Sequence, residues 1–170
     1  SWYEYLGLMQ RIKLASSDPP DKWISMLANW KTHAITGYSS TLMLLARALH
    51  DQNISNLSPQ AVFSCSEILD KDNRKILRSV FNCKVVDLYG SEEARCIAWE
   101  CERCGGYHIN SDMLIVEFLR DGKPVANGEE GEVVITNLHS YAMPFIRYKQ
   151  EDVGVPIEKE SVCGRGLPLM

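Results

Sequence analysis

The first half of the chain alternates between two hydrophobic patterns. Apolar residues at three- and four-residue spacing predict amphipathic helices, and short apolar runs bounded by turn residues predict buried strands. The predicted helices cover residues 2–12, 18–30, 39–50 and 68–81. The predicted strands cover residues 34–38, 61–65 and 84–89. We expect Asp18 to cap the second helix and the Ser39-Ser40-Thr41 run to cap the third, because such side chains accept hydrogen bonds from N–H groups at a helix start.

This alternation of strand and helix predicts a parallel sheet covered by helices. After Tyr89 the helical spacing stops, and short strands are predicted at residues 97–99, 114–119 and 132–136. Asp121-Gly122 and Asn127-Gly128 are turn signals between the last two, so the second half is predicted to be antiparallel.

The predicted fold class is therefore α/β. It has a helix and strand layer over residues 1–89 and a mainly antiparallel β layer, which contains a Cys/His cluster, over residues 90–170. Because no flexible linker separates the two layers, we expect them to pack as one unit.

Composition narrows the range of partners. The chain has 170 residues, of which 45% are hydrophobic and 24% are charged, values typical of proteins that bury a core. Its net charge of -4 provides no basic excess to neutralise a phosphate backbone, so we expect no nucleic-acid partner. The apolar runs are well short of the roughly 20 residues that cross a bilayer, so we expect no membrane partner.

The chain begins with Ser1 rather than Met and ends shortly after the run Cys163-Gly164-Arg165-Gly166. We therefore expect it to be part of a longer protein. It has six cysteines and no secretory signal, which favours a reducing, cytoplasmic location. The cysteines are then metal ligands, nucleophiles or core residues.

The strongest chemical signal is a set of Cys and His positions in the second half. Cys101 and Cys104 flank a C-x-x-C turn that two glycines follow, and His108 and Cys163 come later. Four such sulfur and nitrogen donors are typical of a structural zinc site, in which no position stays open for a catalytic water. We predict that zinc joins the Cys163 loop to the Cys101 turn.

Two alternatives exist for these residues, a redox-active dithiol and unrelated buried thiols. A dithiol of the thioredoxin type lies where a strand leads into a helix, whereas Cys101 and Cys104 lie between predicted strands, which favours zinc. His108 has the least support as a ligand, because a His beside a Tyr in a strand is often only packed or hydrogen-bonded.

A second constellation follows the last parallel strand. The run Tyr89-Gly90-Ser91-Glu92-Glu93 lies at the carboxyl end of that strand, where open α/β sheets bind ligands. Gly90 allows a ligand to approach the backbone, and Tyr89 offers a flat face for stacking. Taken alone, such a run is more often an ordinary turn.

Several motifs occur in a characteristic order along the chain. They are residues 89–93, 131–138, 143–148, Asp152 and residues 163–168. In this order they resemble the adenylate-forming enzymes, most closely the phenylacetate-coenzyme A ligase group with its capsule-biosynthesis relatives. The resemblance extends over residues 34–168 and implies a fragment of the N-terminal domain of such an enzyme.

The resemblance implies that part of the chain binds adenosine. Residues 64–67, with Ser66 and Glu67, match the loop that packs against adenine. Asp87 matches a position that can hydrogen-bond the adenine amino group, and Tyr89 matches the residue that stacks on the ring. Gly90 and Glu92 belong to the same nucleotide-binding motif.

The resemblance also implies residues near the phosphates and the ribose. Glu93 matches the glutamate that helps to hold magnesium, and Arg165 matches an arginine near ribose and phosphate, so these two are the expected catalytic residues. Asp152 matches the acid that accepts hydrogen bonds from both ribose hydroxyls. A carboxylate suits a vicinal diol, and a guanidinium complements developing negative charge. The Cys101, Cys104, His108 and Cys163 set resembles a metal site of some members.

The implied function is a fragment of an ATP-dependent acyl-activating ligase, whose substrates are a nucleotide and a small carboxylic acid. The implied cofactors of the full-length protein are ATP, magnesium and coenzyme A, together with a structural zinc. The alternative is a non-catalytic, zinc-stabilised binding module that keeps the fold without the chemistry.

The chain departs from the family pattern in several places. Glu92 stands where the family usually has Ser or Thr, and Glu151 stands where it usually has Gly. Two extra carboxylates near a triphosphate oppose ATP binding unless magnesium or outward rotation offsets them. We find neither the upstream phosphate loop nor a carboxy-terminal domain with a catalytic Lys, so we predict that the chain alone is inactive.

Overall fold

The structure is a computed structural model that describes residues 10–30, 32–158 and 162–170. Its helices are α1 (Pro20–Ala28), α2 (Ser39–Asp51) and α3 (Lys71–Phe81). Its strands are β1 (Ala34–Tyr38), β2 (Ala61–Cys65), β3 (Lys84–Ser91), β4 (Arg95–Cys101), β5 (Gly106–Ile109), β6 (Leu114–Arg120), β7 (Lys123–Pro124), β8 (Gly131–Asn137) and β9 (Tyr148–Gly154).

Five strands form a mixed sheet in the order β1-β2-β3-β4-β5. β1, β2 and β3 run parallel, as the alternation of strand and helix predicts, because a helical crossover joins each pair. β4 and β5 then continue the same sheet in antiparallel pairing. The predicted α/β class is confirmed, and the change from parallel to antiparallel pairing occurs at the turn after β3.

The other four strands form an antiparallel sheet in the order β7-β6-β8-β9. Ile97 and Ile109 of the first sheet share a buried core with Leu114 and Val133 of the second. A separate core joins the three helices to β2 and β3, with Phe81 fully buried in it. The apolar contacts between the sheets keep the carboxyl end of β3 beside β9.

The start of the first described helix differs from the prediction. α1 begins after Pro19, which makes no side-chain capping bond. Asp18 instead pairs with Lys22 at 2.9 Å, so the predicted Asp18 cap is wrong. The helix predicted over residues 2–12 lies mostly outside the described residues, and no helix covers residues 10–15.

The other two helices also differ in their first turns. α2 begins at Ser39 without a capping bond from a Ser or Thr side chain. α3 begins at Lys71 because the Asp70 carboxylate accepts from two backbone N–H groups, so the predicted start at residue 68 was too early. β1 was predicted to be buried, but it lies at the sheet edge and alternates between exposed and half-buried residues.

The described helices are short, with 9, 13 and 11 residues. Crossing a bilayer takes about 20 apolar residues. Within the described residues, no helix has the length and apolar character for such a crossing.

Candidate functional site

The Cys101–Cys104 turn supplies one half of the cysteine cluster. It joins β4 to β5, and the backbone N–H groups of Cys104 and Gly105 donate to the Cys101 carbonyl at 3.1 and 2.9 Å. Gly105 has a φ of 69°, a left-handed conformation that glycine adopts without steric cost. Both thiols are buried and approach the same point from one short loop.

His108 and Cys163 complete the cluster. His108 Nε2 lies 3.1 Å from Cys163 Sγ and 3.8 Å from Cys104 Sγ. The four donor atoms, with Cys101 Sγ, all lie within 4.8 Å of one another. The six cysteines all fall within the described residues, and none of them is in a disulfide bond. The structure therefore brings together the four predicted metal ligands.

The cluster fits a zinc ion in donor type and in spacing. Zinc–ligand distances of about 2.0–2.3 Å put tetrahedral donor atoms about 3.3–3.8 Å apart. The two His108 contacts, at 3.1 and 3.8 Å, are close to this range, and the widest separation in the cluster is within 4.8 Å. His108 Nδ1 is buried and has no hydrogen-bond partner among the described residues. The ring is instead packed against Trp99, with 4.8 Å between the ring centroids.

Arg165 lies beside this cluster. Its Nη1 atom is 3.8 Å from Cys101 Sγ, and its guanidinium carbon lies 5.0 Å from the centroid of the Trp99 ring, within the range of a cation–π contact. A hydrogen bond with the Cys163 thiol raises the pKa of Arg165. The structure thus groups Arg165 with the predicted metal ligands rather than with Asp152.

Tyr89 and Asp152 meet although they come from different sheets. Tyr89 is near the end of β3 and Asp152 is in β9, and the Tyr89 hydroxyl donates to Asp152 Oδ2 at 2.8 Å. Burial, followed by the hydrogen bond to Asp152, raises the pKa of Tyr89, so the phenol stays protonated and remains a donor. Two residues that were predicted to contact one nucleotide are therefore direct neighbours.

Asp87 lies in a polar network on β3, β4 and β5. Its Oδ2 accepts from the Tyr107 hydroxyl at 2.7 Å, and its backbone N–H donates to Glu100 Oε2 at 3.3 Å. Arg74 of α3 pairs with the same Glu100 oxygen at 2.7 Å. Burial is the largest cause that raises the pKa of Asp87, and the Tyr107 hydrogen bond opposes it.

Glu93 is held at the turn between β3 and β4. Its side chain accepts from the Tyr148 hydroxyl at 3.0 Å, and its backbone carbonyl accepts from Asn137 Nδ2 at 3.2 Å. Its own backbone N–H and the Tyr148 hydroxyl lower the pKa of Glu93, which keeps it an anion. The neighbouring Glu92 is exposed.

Two backbone features explain residue choices near this turn. A side chain on Gly90 would collide with the Arg95 carbonyl, so the close approach of β4 already requires glycine there. Glu151 has a φ of 60°, a region costly for residues with a Cβ atom. The Gly that the family usually has at this position would take that conformation freely.

Ser66 and Glu67 lie in the loop after β2, at the carboxyl edge of the parallel strands. Ser66 has a φ of 61° and is exposed. The Glu67 carboxylate accepts from the Ser40 N–H at 2.7 Å and from Ser40 Oγ at 2.9 Å. Glu67, rather than a Ser or Thr side chain, therefore accepts the hydrogen bond from a backbone N–H group in the first turn of α2. This contact links the loops after β1 and β2.

Sequence analysis assigned no role to three residues that hold the site. Tyr107 orients Asp87, Tyr148 orients Glu93, and Arg74 neutralises Glu100. The contacts cross between elements, so spacing along the chain does not reveal them. One local signal exists for Tyr107: it precedes His108 in a strand, so the two side chains point to opposite faces.

Comparison with known proteins gives two sequence relatives. No protein-family model matches the chain. CapK of Staphylococcus aureus is 27% identical over 139 residues, which cover 81% of this chain and 29% of CapK. Phenylacetate-coenzyme A ligase of Escherichia coli K12 is 35% identical over 85 residues, which cover 47% of this chain and 20% of the ligase. These two proteins are homologues of this chain.

The fold of the chain is that of the adenylate-forming acyl-CoA ligases. An open conformation of 2-hydroxyisobutyryl-CoA ligase, solved in complex with 2-HIB-AMP and CoA, superposes with a TM-score of 0.81 at 19% identity. The match covers 92% of this chain and 36% of that ligase. The chain thus spans less than a third of its two sequence relatives and about a third of this ligase.

Proposed function

We propose that this chain is part of an ATP-dependent acyl-activating ligase and carries much of its adenosine-binding site. In the intact enzyme, a carboxylate oxygen attacks the α-phosphorus of ATP, and the bond to pyrophosphate breaks to give an acyl-adenylate. A thiol such as coenzyme A then attacks the acyl carbon, which forms a thioester and releases AMP. Such a reaction depends on positioning and on electrostatic stabilisation.

The contact between Tyr89 and Asp152 carries the proposal. These residues are 63 positions apart and belong to separate sheets, yet their side chains meet at the carboxyl edge where open α/β sheets bind ligands. An aromatic face beside a carboxylate suits a nucleoside, because the ring stacks on the base while the carboxylate accepts from the ribose diol. The homology to acyl-CoA ligases supports the same assignment.

Asp87 and Glu93 extend the site to both sides of Tyr89. Asp87 Oδ1 is buried and has no hydrogen-bond partner among the described residues, so this acceptor suits the amino group of adenine. Glu93 stays anionic and would hold magnesium near the phosphates. The carboxylates of Glu92 and Glu151 would repel the phosphates of ATP, so a cation such as magnesium would be needed between them.

The loop with Ser66 and Glu67 has a positioning role in this proposal. Ser66 lies on the carboxyl side of β2, in position to border adenine, while Glu67 is occupied by Ser40. We therefore assign Glu67 to shaping the loop and Ser66 to the base. Gly90 lies between the stacking residue and the magnesium residue, where it allows β4 to approach.

The Cys101, Cys104, His108 and Cys163 set would hold a structural zinc. Its four donors leave no position for a reacting group, so this metal would supply stability and no chemistry. It would join β5 to the segment with Arg165, which stacks on Trp99. Arg165 reaches ribose or phosphate only if this segment moves or if the ligand extends to it.

One alternative has a specific observation in its favour. Arg165 lies on the thiol cluster, and the Tyr89 hydroxyl occupies one oxygen of Asp152. Both contacts occupy groups that a bound nucleotide would otherwise use. Such occupied groups are expected in a zinc-stabilised binding module without ligase chemistry. That module binds no AMP, which separates it from the ligase.

The deciding experiment uses the intact protein. Calorimetric titration with AMP, and with ATP and magnesium, is expected to give saturable binding at one site. Exchange of labelled pyrophosphate into ATP, measured with a panel of small aliphatic and aromatic acids, is expected with at least one acid. Absence of AMP binding would overturn the adenosine site and favour the alternative module, and AMP binding without exchange for any acid would overturn the ligase reaction.

A further inference from the structure

A row of polar side chains crosses the first sheet at Asp87. Ser64 of β2 is paired with Asp87 of β3, and Glu100 of β4 is paired with Tyr107 of β5. The pair Leu88 and Trp99, one position further along, joins β3 to β4. Asp87, Glu100 and Tyr107 are therefore cross-strand neighbours on one face of the sheet.

Tyr107 is fixed more firmly than a surface tyrosine. Its backbone exchanges two hydrogen bonds with Met170, at 2.8 and 2.9 Å, and β4 pairs with it on the other side. The half-buried ring then reaches two strands across the sheet to Asp87 at 2.7 Å. Because the backbone of Tyr107 is paired on both sides, its ring presents the hydroxyl to Asp87 in a defined direction.

The two oxygens of Asp87 consequently have different environments. Oδ2 accepts from Tyr107, whereas Oδ1 has no partner among the described residues. Glu100 is close, but its charge is directed to Arg74 and to the Asp87 backbone N–H. The backbone N–H of Leu88 also acts on this carboxylate. The carboxylate is therefore held by one oxygen, and the other is a buried acceptor that no side chain of the described residues satisfies.

We infer that Tyr107 is a positioning residue that gives the site its preference for a 6-amino purine over a 6-oxo purine. This inference rests on the proposed function, in which Asp87 faces the base. An ionised carboxylate can only accept, so it pairs with the amino group of adenine and repels the carbonyl oxygen of hypoxanthine. Without the Tyr107 hydroxyl, Asp87 can rotate and can take up a proton, and a protonated carboxyl donates to the carbonyl oxygen.

The test compares AMP with inosine monophosphate on the intact protein. Calorimetry on the wild type is expected to show much tighter binding of AMP. Tyr107→Phe is expected to reduce the AMP-to-IMP affinity ratio by about tenfold or more, as for the loss of a hydrogen bond to a charged group. Tyr141→Phe makes the same chemical change at a side chain that is 85% exposed, and it is expected to leave the ratio unchanged.

A double-mutant cycle tests whether Tyr107 acts through Asp87. In the Asp87→Ala background, Tyr107→Phe is expected to have no further effect on the ratio. An unchanged AMP-to-IMP affinity ratio in Tyr107→Phe, or an equal loss of affinity for both nucleotides, would overturn the positioning role while the proposed function stands. A wild type that binds neither nucleotide would overturn the proposed function and this inference with it.

Discussion

The cysteine cluster and the Tyr89–Asp152 region are built in different ways. The cluster is compact and buried, and three of its four donors lie within eight positions of the chain. The Tyr89–Asp152 region is half exposed, and its contacts join residues from two sheets. The cluster depends on one turn and one returning segment, whereas the Tyr89–Asp152 region depends on how both sheets pack.

This difference determines how each region should respond to mutation. A metal site concentrates its stabilisation in a few bonds, so one lost ligand removes most of it. A site assembled from hydrogen bonds between sheets loses one interaction at a time, because the core between the sheets keeps the remaining residues in place. Single substitutions should therefore cost more in the cysteine cluster than in the Tyr89–Asp152 region.

Loss of a ligand from the cysteine cluster should have the largest effect. Cys104→Ser and Cys163→Ser are each expected to lower the zinc content from close to one per chain to near zero and to reduce the free energy of unfolding by several kcal/mol. Zinc contributes about 10–16 kcal/mol in small zinc-finger peptides, and two hydrophobic cores make this fold less dependent on it. Elemental analysis and thermal unfolding, before and after chelation, measure both quantities.

The control for this prediction is Cys83→Ser, which changes a cysteine outside the cluster and should keep the zinc. A Cys101–Cys104 disulfide is the rival structure. It would give metal-free protein whose melting temperature falls with a reductant instead of a chelator. Equal reactivity of all six thiols, with no change in melting temperature on chelation, would exclude both the zinc site and the disulfide.

The two regions also differ in what sequence alone could predict. The C-x-x-C turn and its glycines identify the cluster locally, and the structure brings its distant member, Cys163, to His108. β2 was predicted with its observed bounds because its apolar run is flanked by clear turn residues. β7 and β9 were missed, and the strand with Tyr107 and His108 (β5) was expected without bounds, because these strands are short or polar and are defined by cross-strand pairing rather than by hydrophobic pattern.

The chemistry of the Tyr89–Asp152 region could be predicted only through resemblance. Asp152 alone is an ordinary acid in an exposed strand, and Asp87 has no local signal. Their partners Tyr89 and Tyr107 depend on register and on packing between sheets. The cap of α2 was mispredicted for the same reason, since Glu67 comes from a loop 27 positions away.

In the Tyr89–Asp152 region, Asp152→Asn should have the next largest effect. The amide still accepts from Tyr89, so the fold is expected to be kept, but the charge that we propose serves two ribose hydroxyls is lost. A charge-assisted hydrogen bond contributes on the order of 1.5–3 kcal/mol, so AMP affinity of the intact protein should fall by about 10- to 100-fold. Asp121→Asn is the matched acid-to-amide control in an exposed turn. Unchanged AMP affinity in Asp152→Asn would remove this residue from the site.

A smaller effect is expected at Glu151, where backbone and charge can be separated. Glu151→Gly relieves the positive φ and should raise the free energy of unfolding by about 1 kcal/mol. Glu151→Gln removes the same charge but keeps the Cβ atom, so it should leave stability nearly unchanged. Both variants should bind ATP more tightly because a carboxylate beside the proposed phosphate region is gone. Equal stability of the Gly and Gln variants in thermal unfolding would contradict the backbone argument.

The smallest effect tests the burial of Asp87, which lies between the two regions. Burial raises its pKa above the ordinary value of 3.8, so the folded state favours the neutral acid. Its contribution to stability is complete below pH 3.8 and is lost as pH rises through the raised folded-state pKa. An Asn side chain at this position does not ionise, so Asp87→Asn loses no stability over this pH range, and its amide oxygen still accepts the hydrogen bond from Tyr107.

The Asn variant should therefore gain stability relative to wild type as pH rises through that window, by less than about 1 kcal/mol after solvent screening. In a 170-residue chain this is a melting-temperature difference of at most about 2–4 °C. Melting curves from pH 3 to pH 7 follow the difference between the two proteins. A melting-temperature difference that is constant with pH would mean that ionisation of Asp87 does not destabilise the folded state. The hydrogen bond from Tyr107 and the charge of Arg74 would then offset the burial of this carboxylate completely.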